Sequence, residues 1–198
     1  MTKKDHPMKT VVYVHGLNQT HRCFNYVLQN LPEHNAVQVD YHSHQRLAES
    51  IKEVKSQLPK GEFALVGHSL GGLICALIAS EHPVSELITI SAPIAGSKVA
   101  SLARWFPNAP AIVGDLVPSS SFIIQATNQR LQIPTISLFS STGHLRAQGE
   151  PNDSIVTVSS QKALPYGRKH EVKANHFEIL LHERTVDLIQ KHLFGEYE

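Results

Sequence analysis

Ser69 sits in the run Val66-Gly67-His68-Ser69-Leu70-Gly71-Gly72, with a glycine two residues away on each side. A serine hydroxyl becomes a useful nucleophile only when a base takes its proton and its oxygen stands clear of the chain. The G-x-S-x-G spacing serves the second need. Small flanking residues let a strand turn sharply into a helix with the serine at the apex. There the hydroxyl stands at a helix N-terminus, where free N–H groups and the helix dipole favour a developing negative charge. The context fits: Phe63-Ala64-Leu65-Val66 reads as a buried strand, and the apolar run to Ala79 as a helix. Taken alone, these residues leave open a glycine-rich turn carrying a solvated serine.

Other chemistry is weaker. Thirteen histidines invite a metal reading, but H-E-x-x-H does not occur, and Cys23 and Cys75 are neither paired nor near a histidine pair at zinc spacing. His42 and His44 read as a polar loop opening a helix. No metal and no cofactor is expected. A formal net charge of +1, without a polybasic run, gives no electrostatic argument for nucleic acid or an anionic membrane. No stretch is long and apolar enough for a membrane span or a signal-peptide core, so a cytoplasmic location is the expectation.

The elements that must position Ser69 follow from hydrophobic patterning. Lys9 to Val14 is a β-branched strand ending at His15-Gly16, and residues 20–31 suit a helix closed by Pro32. Ala36 to Tyr41 reads as a strand. Ser43 to Leu58 carries Leu47, Ile51, Val54 and Leu58 at helical spacing. Strands are also expected at Glu86 to Ile90, Thr135 to Ser140 and Glu171 to Lys173, with an amphipathic helix from Phe177 to Phe194. The alternation predicts an α/β fold in one domain over residues 1–198: a minimal, mostly parallel sheet of about six strands with helices on both faces. Reactive groups in such sheets gather beyond the carboxyl ends of the strands. His15, Ser69, Ser91, the loop after Ser140 and His176 all fall just after predicted strands.

Four segments together resemble the α/β-hydrolase superfamily, and within it compact lipases and esterases. They are Val12-Tyr13-Val14-His15-Gly16-Leu17, the run around Ser69, Asn152-Asp153-Ser154-Ile155-Val156, and Asn175-His176-Phe177. A fifth, Ser91 to Ser97, resembles the T-P-H-x-G-S segment of lipases, with Ile94 where histidine is common. The resemblance implies the chain order Ser, then Asp or Glu, then His. Ser69 would be the nucleophile, Asp153 the acid and His176 the base, with the backbone N–H groups of Leu17 and Leu70 holding an oxyanion. His144 precedes the acid and so breaks the order, while His170 would fall at the wrong end of the sheet. Asp115 lies in the irregular region before the penultimate strand and reads as structural, and Glu150 is a weaker alternative. His15 is read as ordering its loop.

The activity so implied is hydrolysis of a carboxylic ester, with a small acyl ester or a lipid as substrate. A thioesterase or amidase would use the same residues, and a silent binding protein on this scaffold is a further alternative. The chain departs from the family in lacking the usual one or two strands before His15-Gly16. Residues 94–133 form its only sizeable insertion, a small cap-like or lid-like excursion. Trp105, Phe106, Ile112, Val113, Phe122 and Ile123 in it would line an acyl pocket or simply fill core.

Overall fold

The computed structural model describes residues 8–97, 100, 110–144 and 149–195. Six strands run β1 (Thr10–Val14), β2 (Asn35–Val39), β3 (Phe63–His68), β4 (Val84–Ile90), β5 (Thr135–Ser140) and β6 (Arg168–Val172). They form one sheet in the order β2-β1-β3-β4-β5-β6, with every neighbouring pair parallel. A parallel sheet needs cover on both faces, which is why β3 and β5 are buried along their whole length, β3 as a largely apolar run and β5 with Thr135, Ser137 and Ser140 buried among its apolar residues. Side chains alternate across the sheet. Val12, Val14 and Leu65 join one core with α2 (Leu47–Ser56), α3 (Leu70–Ile78) and α4 (Ser121–Asn128). Val11, Tyr13 and Val66 join the other, with α1 (Asn25–Gln29) and α6 (Glu183–Phe194).

Several element boundaries differ from expectation, each for a local reason. The helix expected from Ser43 starts at Leu47, because the Glu49 carboxylate accepts the Arg46 N–H and Asp115 Oδ2 accepts the Leu47 N–H at 2.8 Å. The terminal helix is interrupted. A 3₁₀ turn covers Glu178–Leu181, His182 is extended, and its Nδ1 accepts the Arg184 N–H to cap α6. Strand β6 starts earlier than predicted, so His170 lies within it rather than before it. Within the excursion, a 3₁₀ turn at Ala111–Leu116 precedes α4, which the Ser120 hydroxyl caps. A short α5 (Val158–Gln161) follows β5.

The strand order reverses direction of travel between β1 and β3. Such a switch point opens a crevice beyond the strands' carboxyl ends. The loops after β1 and β3 border it.

Candidate active site

Ser69 occupies the sharp turn from β3 into α3 with φ 53° and ψ −123°, a strained conformation for a residue with a side chain. Close packing requires glycine beside it. A Cβ on Gly71 would lie 2.1 Å from the Val14 carbonyl oxygen, so α3 can approach β1 only without a side chain there. The first loop is close as well, since a Cβ on Gly16 would stand 2.9 Å from that of Ser69.

Three side chains from three loops meet. Ser69 Oγ lies 2.9 Å from His176 Nε2, and His176 Nδ1 lies 2.7 Å from Asp153 Oδ2. The residues are 107 and 23 positions apart, respectively. Because the carboxylate only accepts, Nδ1 carries the proton and Nε2 is left to accept from the Ser69 hydroxyl. The Asp153 carbonyl also accepts the His176 N–H at 3.0 Å, holding the histidine loop against the acidic one.

Asp153 is fully buried, and its carboxylate is saturated with donors. Oδ1 accepts the N–H groups of Ile155 and Val156 at 3.0 and 2.7 Å, and Oδ2 accepts the Ser140 hydroxyl at 2.9 Å besides His176. Burial pushes its pKa up, but the hydrogen bond and charge of His176 and the two N–H groups outweigh it, leaving the pKa below its ordinary value. Gln161, also buried, braces this turn by bonding the Ser140 backbone on both sides and the Val156 carbonyl.

Leu17 and Leu70 flank Ser69, and among the described residues neither backbone N–H has a partner. His15 orders the first loop from behind. Its Nδ1–H donates to the Gly16 carbonyl at 2.8 Å, and its ring stacks on Tyr41 at 4.5 Å. Burial lowers its pKa, against the opposing pull of the Gly16 carbonyl and Asp40.

The competing residues lie elsewhere. His144 is exposed, His170 is within β6, and Asp115 pairs with Arg46 at the start of α2. Asp153, and neither Asp115 nor Glu150, meets His176. Sequence reasoning missed His68, Gln19, Ser140 and Gln161, all placed around the Ser69–His176–Asp153 chain. For His68, Gln19 and Ser140 the one outward sign is a polar residue at or near the carboxyl end of a predicted strand, a signal shared by many surface residues, and Gln161, in α5, carries none.

Beside Ser69 and His176 lies a mostly apolar cavity of about 290 Å³, walled by Leu17, Leu70, Val113, Leu116, Val156 and Phe177. Of the aromatic and aliphatic residues expected at a pocket, Val113 lines it, whereas Ile112 and Ile123 belong to the core and Phe122 packs against it half-buried. Trp105 and Phe106 lie outside the described residues. A cavity of about 360 Å³ at the other end of the strands, lined by Glu86, Arg168, His170 and Lys191, has no serine or cysteine among its lining residues. Among the described residues, no group of three or more His, Cys, Asp or Glu side chains comes together to hold a metal ion, and no helix is long and apolar enough to cross a membrane.

No curated protein matches this sequence. Solved structures do. A lipase of Bacillus licheniformis in its mature form superposes with a TM-score of 0.79 over 96% of this chain and 94% of its own, at 23% identity. A phospholipase of Legionella pneumophila superposes at 0.74 over 96% of this chain and 60% of its own, at 14% identity. A metagenomic carboxyl esterase gives 0.66 over 85% and 64%, at 17% identity. At such identities the likeness is one of fold. The family profile for the alpha/beta hydrolase fold matches residues 15–178, from the loop after β1 to just past His176. That span takes in the first loop, the Ser69 turn, Asp153 and His176, and the chain belongs to the α/β-hydrolase family.

Proposed function

We propose that this protein is a serine hydrolase of carboxylic esters that works through an acyl-enzyme on Ser69. The observation that carries the reading is the hydrogen-bonded chain Ser69–His176–Asp153 at the head of α3, opening onto an apolar cavity. Ser69 Oγ attacks the acyl carbon while His176 Nε2 takes its proton. Negative charge develops on the former carbonyl oxygen, and the N–H groups of Leu17 and Leu70 donate hydrogen bonds to it. One such donor is typically worth about 3 kcal/mol in the transition state. His176 then passes the proton to the departing alkoxide, which leaves as the alcohol. Water repeats the sequence on the acyl-enzyme, with His176 as its base, and releases the acid. Asp153 holds His176 in the tautomer that this needs. No cofactor enters any step.

The apolar lining favours an acyl chain or a lipid tail beside Ser69, and the lipase, esterase and phospholipase among the structural neighbours support that class. Residues 94–133 contribute Val113 and Leu116 to the cavity, and we read this excursion as its cap within a single catalytic domain. We place the protein in the cytoplasm, a location that cell fractionation checks.

Ser69→Ala should abolish turnover of short p-nitrophenyl esters and labelling by a fluorophosphonate, with the melting temperature unchanged. Retention of most of either signal overturns the assignment. A matched panel of ester, thioester and amide substrates ranks the bond cleaved.

A further inference from the structure

The mechanism above does not use His68, a fully buried ionisable side chain beside the reacting groups. It is the last residue of β3. Strand alternation puts it on the face of Ala64 and Val66, opposite α3, where the His176 loop packs. Its Nε2 lies 2.8 Å from the His176 backbone carbonyl, 108 residues further along. Its Nδ1 lies 2.8 Å from Oε1 of Gln19, which also accepts the Gly16 N–H at 2.9 Å. The rings of His68 and His176 are 5.0 Å apart. Two loops that the proposed reaction must hold in register, one carrying Leu17 and one carrying His176, are thus joined through a single imidazole.

We infer that His68 is a positioning residue for this reaction: its neutral ring donates Nε2–H to the His176 carbonyl, with Gln19 as the brace to the loop of Leu17, and so sets the base over Ser69. The inference rests on the function proposed above. The proton count supports it. Both neighbours present oxygens, but Gln19 Oε1 already accepts the Gly16 N–H, so the single N–H of a neutral ring goes to the His176 carbonyl from Nε2. The ring is neutral because burial, and next the neighbouring His176, push its pKa down to about 3, against the opposing pull of the carbonyl and Asp153. A charged ring here would face His176 just when that base takes up a proton.

The test separates donation from packing. His68→Met fills the space without a donor, and His68→Gln keeps an amide N–H able to reach the carbonyl. In the full chain we expect His68→Met to label with a fluorophosphonate about 10- to 100-fold more slowly, the range for a slightly misplaced catalytic group. Its kcat on a p-nitrophenyl ester should fall in parallel, with KM within twofold. His68→Gln should stay within a few-fold of the wild type. If packing alone mattered, Met would be tolerated at least as well as Gln, and equal rates for Met and wild type, or equal losses for Met and Gln, overturn the inference. Should His68→Met fail to fold, Gln19→Leu decides: several-fold slower labelling is expected, and an unchanged rate overturns it. A wild-type protein that does not label at Ser69 overturns the proposed function and this inference with it, whereas a labelled wild type with an indifferent Met variant overturns the inference alone.

Discussion

Asp153→Asn is the substitution whose consequence the geometry specifies most narrowly. The side chain keeps its shape, so packing is undisturbed, but one carboxylate oxygen becomes an NH₂ group. The N–H groups of Ile155 and Val156 both point at Oδ1, so the amide must leave its oxygen there. The NH₂ group then replaces Oδ2 and meets His176 Nδ1 at a hydrogen-bond distance of 2.7 Å. Two donors cannot face each other, so His176 moves its proton to Nε2, the nitrogen that faces Ser69 Oγ at 2.9 Å. A base protonated there cannot take the serine proton. The Ser140 hydroxyl can turn to accept from the new NH₂, so the fold survives. Loss of the correct tautomer in a serine–histidine–carboxylate arrangement lowers kcat about 10⁴-fold, or about 5.4 kcal/mol at about 1.36 kcal/mol per decade. Steady-state kcat on a p-nitrophenyl ester and the fluorophosphonate labelling rate should fall together, with the melting temperature within a few degrees of the wild type. A folded variant within about tenfold of the wild-type kcat refutes the tautomer argument and with it the role given to Asp153.

Two further outcomes concern the frame around the site. Gly71→Ala drives a methyl group to 2.1 Å from the Val14 carbonyl oxygen, backbone of a buried strand that cannot yield. Overpacking of this kind costs about 3 kcal/mol or more, a melting temperature about 6–12 °C lower in a domain of this size. A melt within 2 °C of the wild type contradicts the close approach of α3 and β1. The buried His68 also leaves a signature in acid. Its folded pKa of about 3 lies below the ordinary 6.5, so the unfolded chain takes up a proton first, and stability falls as pH drops from about 6.5 towards 3. Urea midpoints between pH 4.5 and 6 should flatten in His68→Met, by up to about 1.4 kcal/mol per pH unit. An unchanged slope contradicts the neutral ring. Asp153 acts in a separate window, because its folded pKa is depressed below 3.8 and its contribution, complete above that value, is lost only as pH falls further.

The Ser69 turn was legible in the sequence because its constraint is local. A strained backbone and a helix packed hard on a strand exclude side chains at fixed offsets, so the glycines mark the place. The alternation of strands and helices was legible for a similar reason, since covered parallel strands must be mostly apolar or β-branched. Asp153 and His176 were reachable by the order that the resemblance implies, and Asp115, set apart as structural in that reading, pairs with Arg46. Ile112 and Ile123 show the limit, because an apolar residue in an irregular region looks the same whether it fills core or lines a cavity.

The sequence by itself determined the elements, the turn that raises Ser69 and the short set of residues able to serve it. Tertiary structure alone decided which of them touch. The order β2-β1-β3-β4-β5-β6 brings the ends of β1, β3, β5 and β6 to one edge, and so joins side chains more than 100 residues apart. It also recruited His68, Gln19, Ser140 and Gln161, whose bonds leave no periodic trace. Periodicity records only which face of an element is apolar, whereas a polar contact depends on two elements meeting, and no local pattern carries that.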